Sequence, residues 1–177
     1  GFAAARMEEV ARRAGVSKGA VYLYFPTKAA LFAAVVRDAV LPNVNRIKMM
    51  TSEAPSFAAA ARAAVPAMAA RLLSDRRMTG VVKLIIGESR THPELAELWH
   101  ATVVEPAIVM LTGLIEQAQE RGEVRAGDPR HFAFGLMGPM VLSMVWRETF
   151  EPIGAAPVDV VKLADQHLDT ILRGMRP

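Results

Sequence analysis

Apolar positions recur every three to four residues along almost the whole of this 177-residue chain, and no stretch shows the two-residue alternation of a strand. The pattern predicts an all-α fold, divided by proline and glycine. Near the start, Val10, Ala11 and Ala14 share one face of a short helix, and Gly15 is suited to end it in the left-handed conformation. Ser17 is placed to cap a second short helix that turns Val21 and Phe25 to a core. Phe25-Pro26 breaks that helix, because a residue before proline avoids helical angles. Thr27 then caps a third helix expected from Lys28 to about Met50, with Leu31, Phe32, Val35 and Ala39 inward and a kink or register shift at Pro42.

Beyond a loop at Ser52–Ser56, Phe57, Ala61, Val65, Met68 and Leu72 mark one apolar face, bent at Pro66. Asp75 to Thr91 forms a further helix carrying Val82, Ile85, Ile86 and Ser89. His92-Pro93-Glu94 opens a segment with Leu95, Leu98, Trp99, Thr102 and Val103 on a face. Pro106 interrupts it, and Met110, Leu114, Ile115 and Ala118 continue the pattern to a left-handed cap at Arg121-Gly122. Asp128-Pro129 is a cap-then-proline helix start. Residues 151–157 read as the last loop, and the final helix runs from about Val158 to Arg173. The segment Phe132 to Trp146 holds fifteen residues without a charge, so it shows no polar face to water and is expected to be buried on all sides. It is too short for a membrane span, and no stretch reaches the ~20 apolar residues a span needs.

Two short helices joined by a glycine-containing turn make a helix-turn-helix, whose second helix enters the DNA major groove. The run Val10-Ala-Arg-Arg-Ala-Gly-Val-Ser-Lys-Gly-Ala-Val-Tyr-Leu-Tyr-Phe-Pro-Thr-Lys28, followed by Leu31, resembles the DNA-binding domain of the tetracycline-repressor (TetR) family of bacterial transcriptional regulators. The likeness is sharp over about residues 1–40; further on it covers only the layout of a helical regulatory domain. It departs from the family pattern in three places. The family's additional first helix precedes Gly1. Ala5 stands where a phosphate-touching threonine is frequent, and Ala29 stands where an acidic residue would complete a capping box.

The resemblance implies two domains: a DNA-binding domain at 1–40 and a helical ligand-binding and dimerisation domain at 41–177. It implies a double-stranded DNA operator as partner, contacted by Ser17, Lys18, Gly19, Ala20, Tyr22, Tyr24, Thr27 and Lys28. Gly19 and Ala20 keep the reading helix slim, the tyrosines offer hydroxyls and ring faces, and Lys28 with Thr27 clamps phosphate at a helix start. In the family the last two helices pair with those of a second subunit in a four-helix bundle. A homodimer is therefore expected, with Phe132, Gly135, Leu136, Pro139, Met140, Ser143, Val161, Ala164, Leu168 and Ile171 at the interface, and Gly135 and Gly138 allowing close backbone approach.

Charge supports this division. Residues 1–50 hold eight Lys/Arg against three Asp/Glu, and the remainder thirteen against fifteen, within a net charge of +3. A basic amino-terminal part on a near-neutral body suits a polyanion-binding head. The absence of cysteine excludes disulfides, zinc fingers and thiol catalysis and is compatible with the reducing cytoplasm, where such a regulator is expected.

No enzyme is expected. His92, His100, His131 and His167 form no HExxH pair, and neither a Gly-x-Ser-x-Gly elbow nor a glycine-rich phosphate loop occurs. Glu88 and His92 at i, i+4 are sited as a structural pair ahead of a metal pair, so no metal and no cofactor are assigned. The ten methionines leave two readings open: ordinary core packing, or an adaptable lining for an apolar small molecule. The second reading takes Met68, Ile85, Glu88, Trp99, His100, Val103, Met110, Met137 and Trp146 as the effector-binding set. It places a cavity on the order of a few hundred Å³ between Phe57 and Ala118. The function expected is a repressor released from a palindromic operator by a hydrophobic small molecule, with no membrane partner. The alternative is an effector-independent architectural DNA-binding protein.

Overall fold

The computed structural model describes residues 2, 5–52, 54–74 and 76–177, and the side chains of these except 39–48, 52, 72, 73, 76 and 77. Among them every regular element is helical. Met7–Ala14 (α1), Lys18–Tyr24 (α2) and the start of Lys28–Ser52 (α3) make a small head, and α3 runs on into the body. The body comprises Phe57–Ser74 (α4), Arg76–Glu88 (α5), Pro93–Trp99 (α6), Glu105–Glu120 (α7), Pro129–Thr149 (α8) and Val160–Gly174 (α9). Ala39, Pro42, Leu72 and Asp75, which carried expectations from the sequence, lie outside the described side chains or residues.

The helix ends follow their capping residues. Asp128 accepts the N–H groups of Arg130 and His131 ahead of Pro129, Asp159 accepts that of Lys162, and Gly122 closes α7 at φ 70°. Pro106 does not end its helix. A single π turn, His100–Val104, joins α6 to α7, with the Glu105 N–H bonded to the His100 carbonyl. The widened turn lets the chain continue past a residue that has no N–H to give. The resulting helix, Pro93–Glu120, is long and apolar enough to cross a membrane by length and composition, contrary to the sequence-based count of apolar residues. Its Leu95, Ile108, Ile115 and Ala118 are buried in the subunit's own core.

Four apolar clusters hold the molecule. The largest gathers Phe57 and Ala61 of α4, Ile115 and Ala118 of α7, Ala133 and Leu136 of α8, and Leu168 and Leu172 of α9. A second joins Ala69, Met140, Val160 and Ala164. A third joins Phe2, Phe32 and Val36 to Val81, Ile85 and Leu95, with Leu98, Trp99 and Val103 packed against it. The fourth is the head's own core. The burial of individual positions refines the pattern read from the sequence. Val36, not Val35, faces the core from α3; Ile86 is exposed while Val81 is buried; and Ala14 lies open at the end of α1.

Within one subunit, helix α8 has an inner and an open side. Ala133, Leu136, Met140 and Ser143 face inward, whereas Phe134, Gly138, Val141 and Leu142 are exposed. Gly135 allows a close approach, but to α9 of the same chain: a Cβ there would lie 3.0 Å from Ile171 Cδ1. His167 Nε2 lies 2.9 Å from the Gly135 carbonyl.

Candidate nucleic-acid interface

Local sequence fixes the head. Gly15, at φ 69°, turns the chain after α1, with its N–H on the Arg12 carbonyl and that of Val16 on Ala11. Ser17 Oγ accepts the Ala20 N–H at 3.1 Å, and Thr27 Oγ1 accepts the Ala30 N–H at 3.0 Å, so each hydroxyl starts its helix. Met7, Ala11 and Val21 form the core, with Phe25 and Leu31 packed on it. Because α2 is seated by Val21, the rest of its surface is open. Lys18, Gly19 and Tyr22 are exposed, Ala20 is half-buried, and Leu23 and Tyr24 are 78% and 76% exposed. Leu23 was not singled out from the sequence. Its signal was an apolar residue off the Val21–Phe25 core spacing. Three large side chains laid open on a seven-residue helix make a contact surface.

Lys18, Arg12 and Arg13 of the head are held by neighbouring acids. Lys18 Nζ lies 2.6 Å from Glu8 Oε1 and 5.7 Å from the centre of the Tyr22 ring. Hydrogen bonding to Lys18 holds the Glu8 carboxyl below its usual range, and Glu8 in turn raises Lys18. Glu9 bonds Arg12 at 2.6 Å and Arg13 at 2.8 Å, and these bonds, that of Arg12 first, lower its pKa to about 2. A folded value below the ordinary 4.5 means that this pairing stabilises the head above about pH 4.5 and is lost as pH falls through about 2. Amide protection of α1, followed by NMR from pH 5 to 2, is expected to fall over this window in the native chain. Glu9→Gln should remove that part of the fall.

Lys28 is placed differently from expectation. Instead of projecting from the start of α3 toward a phosphate, its Nζ donates to the Phe2 carbonyl at 2.7 Å and lies 4.7 Å from the Phe2 ring centre. The Phe2 N–H donates to Glu88 Oε1 at 2.7 Å, and its ring meets Phe32 and His92 edge-on at 6.0 and 5.1 Å. Phe2 thus sits where head meets body. It was not singled out from the sequence, where a lone aromatic among glycine and alanines was its signal.

Of the effector set, Ile85, Trp99 and Val103 come together in the cluster that also holds Phe2, Phe32 and Val36, and Glu88 lies beside it through Phe2. The others are elsewhere. Met68 is exposed on α4, and His100 is exposed with Nε2 3.5 Å from Glu105. Trp146 donates to the Ala156 carbonyl and packs on Phe150 at 5.2 Å, pinned to the α8–α9 connection. Met110 and Met137 are half-buried.

The effector set is not gathered around one concavity among the described residues. Two surface concavities stand out: one of about 140 Å³ lined by Phe2, Met7, Val10, Leu31, Phe32 and neighbours, and one of about 50 Å³ between α5 and α8. Neither is bounded by the effector set. Glu88 and His92 are engaged separately, Glu88 with Phe2 and His92 with Glu94 at 3.1 Å. Among the described residues no three potential ligands group to hold a metal ion.

Of the expected interface residues, Leu136, Met140, Ser143, Ala164 and Leu168 are consumed by packing within the subunit. Phe132 lies under the Arg125 guanidinium at 5.0 Å, and Ile171 and Val161 pack on the two body clusters. Pro139 is half-buried, and Gly135 closes on α9. The apolar positions left open on α8 are one helical step away, at Phe134, Val141 and Leu142.

Comparison with known proteins agrees with this architecture. The chain is 30% identical over 125 residues to the uncharacterised HTH-type transcriptional regulator YdeS of Bacillus subtilis; the match spans 71% of this chain and 60% of that protein. Its fold is similar to that of the fatty acid degradation regulator FadR from Bacillus halodurans. The TM-score is 0.79 at 19% identity, covering 99% of this chain and 91% of that one. It is also similar to FadR from Bacillus subtilis, solved in complex with stearoyl-CoA, with a TM-score of 0.80 at 18% identity over 99% and 91% of the two chains. Residues 1–35 match the family of bacterial regulatory proteins, tetR family, and residues 62–164 match the tetracyclin repressor-like C-terminal domain. With the helix-turn-helix and more than half of the chain so matched, this protein belongs to the TetR family of transcriptional regulators.

Proposed function

We propose that this chain is a homodimeric repressor that holds a palindromic DNA operator through α2 and is released by an apolar small molecule. The observation that carries the reading is the open face of α2, with Lys18, Tyr22, Leu23 and Tyr24 presented on a head whose caps and core fix its shape. Residues 1–40 act as the DNA-binding unit and 41–177 as the ligand-binding and dimerisation unit. Lys18, Gly19, Tyr22 and Tyr24 meet base edges and backbone, while Ser17 and Thr27 present helix starts to phosphate. A two-fold dimer through the open face of α8 places two heads on two half-sites.

The effector acts by linkage: it weakens operator binding by its preference for the head spacing that does not fit adjacent grooves. We assign its contacts to Ile85, Trp99 and Val103, because these share one cluster with Phe32 and Val36 of α3. A ligand entering there displaces residues that carry the head. The stearoyl-CoA of the Bacillus subtilis FadR structure makes long-chain acyl thioesters the first class to try. The scatter of Met68, His100 and Trp146 away from that cluster favours a second reading, an architectural DNA-binding protein without effector.

The two readings separate in one titration. Long-chain acyl-CoA and aromatic carboxylates are added to the protein–DNA complex while tryptophan fluorescence and DNA release are followed. Saturable quenching that parallels release is expected, with Trp99→Phe removing most of the optical signal. If no apolar compound changes either readout, the effector-free reading stands.

A further inference from the structure

Among the described residues the head meets the body through α3, which runs from one into the other, and through Phe2. Among the described residues α1 and α2 pack chiefly on each other, while α3 packs on α4, α5 and α6. Helix α3 is itself seated on the body through Phe32 and Val36, which pack with Val81, Ile85 and Leu95. The second attachment is Phe2. Its N–H reaches the body, at Glu88 Oε1 on the last residue of α5, 2.7 Å away and 86 residues along the chain. Its carbonyl reaches the head, at Lys28 Nζ on the first residue of α3, also 2.7 Å away. Both bonds join a neutral peptide group to a full charge, the stronger class of hydrogen bond. The ring is buried between Phe32 of α3 and His92 at the start of α6, with the Lys28 ammonium 4.7 Å from its centre.

We propose that Phe2, gripped through its peptide groups by Glu88 and Lys28, is the pin that fixes the head's orientation on the body, with Glu88 as the positioning residue. Glu88 follows Val81 and Ile85 on α5, and both belong to the cluster that seats Phe2. Movement of the α5–α6 corner therefore carries Glu88 and His92 with it and pulls on Phe2. His92 is turned to Glu94, with Nδ1 3.1 Å from its carboxylate, so Glu88 is the acceptor of the Phe2 N–H. Lys28 is thereby a link inside the head as well as a group near the DNA surface.

The chain has no native cysteine, so spin labels can be placed cleanly. Labels at Arg13→Cys on α1 and Gln117→Cys on α7, in protein diluted with unlabelled chain, report the intrachain head–body distance by electron–electron resonance. A single narrow distribution is expected in the otherwise native chain. Glu88→Ala should broaden it severalfold and speed exchange at the Phe2 N–H at least tenfold, with protection of α7–α9 unchanged. Glu88→Gln, which keeps an acceptor oxygen, should recover a large part of both effects, and it carries the comparison if the alanine variant does not fold. Unchanged distance and exchange in these variants would overturn the pin. The consequence for DNA rests on the regulator reading, but the distances do not. Narrow native distances in a protein that binds no duplex would overturn that reading and leave the pin standing.

Discussion

Tyr22→Ala is expected to lower affinity for a specific duplex about 10- to 100-fold, the ~1–3 kcal/mol carried by a side chain that reads base edges, while leaving fold and assembly unchanged. The ring is exposed on α2 and lies 5.7 Å from Lys18 Nζ, and the head's core is built from other residues, Met7, Ala11 and Val21. Removing the ring therefore leaves that core intact. Lys18→Ala should behave differently. It should weaken all duplexes to a similar degree and flatten the dependence of log affinity on log salt by about one unit, as loss of a single phosphate contact does. Fluorescence anisotropy on a duplex selected from a random pool, measured across a salt series, checks both. Native-like affinity for Tyr22→Ala would remove α2 as the reading helix.

A carboxylate placed on the open face of α8 is expected to have the largest effect on assembly. Leu142 is 63% exposed in the subunit and lies on the face shared by Phe134, Gly138 and Val141. In the proposed dimer this face is covered, and an unpaired carboxylate there costs several kcal/mol, comparable to the surplus that holds a dimer together. Leu142→Glu should therefore give a folded monomer, with dimer affinity weakened at least ~100-fold and specific DNA binding lost with it, since about 1.4 kcal/mol corresponds to each tenfold. Met140→Glu should do something else. Met140 is 4% exposed and packs on Ala69, Val160 and Ala164 within its own subunit, so its substitution should unfold the subunit rather than separate two of them. Sedimentation velocity together with circular dichroism distinguishes the outcomes. A Leu142→Glu protein that remains a dimer would place the interface elsewhere.

These two α8 positions also show what could be read from sequence. That α8 exists, where it starts and that it is apolar followed from Asp128-Pro129 and fifteen uncharged residues. Which side faces in did not follow, because a helix apolar all round has no periodicity to orient it. The head was read closely because its signals are local: Gly15, Ser17 and Thr27 act on backbone groups within three residues or so. Phe2 and Glu88 were missed as a unit because 86 residues separate them, and no local rule couples an amide to a distant carboxylate. A helix break was expected at Pro106. At Pro106 a π turn absorbed the break, a tertiary outcome that composition does not announce.

The central claim is that two copies of this head read an inverted repeat. Its most direct measurement is sequencing of the genomic fragments retained by the purified protein at physiological salt. One enriched motif is expected, palindromic about a two-fold axis, with half-site centres separated by about one helical turn or a multiple of it. Leu142→Glu should abolish its recovery, and Tyr22→Ala should blur the bases within each half-site. Retention of fragments without any shared motif, equal for the native protein and Tyr22→Ala, would contradict the account.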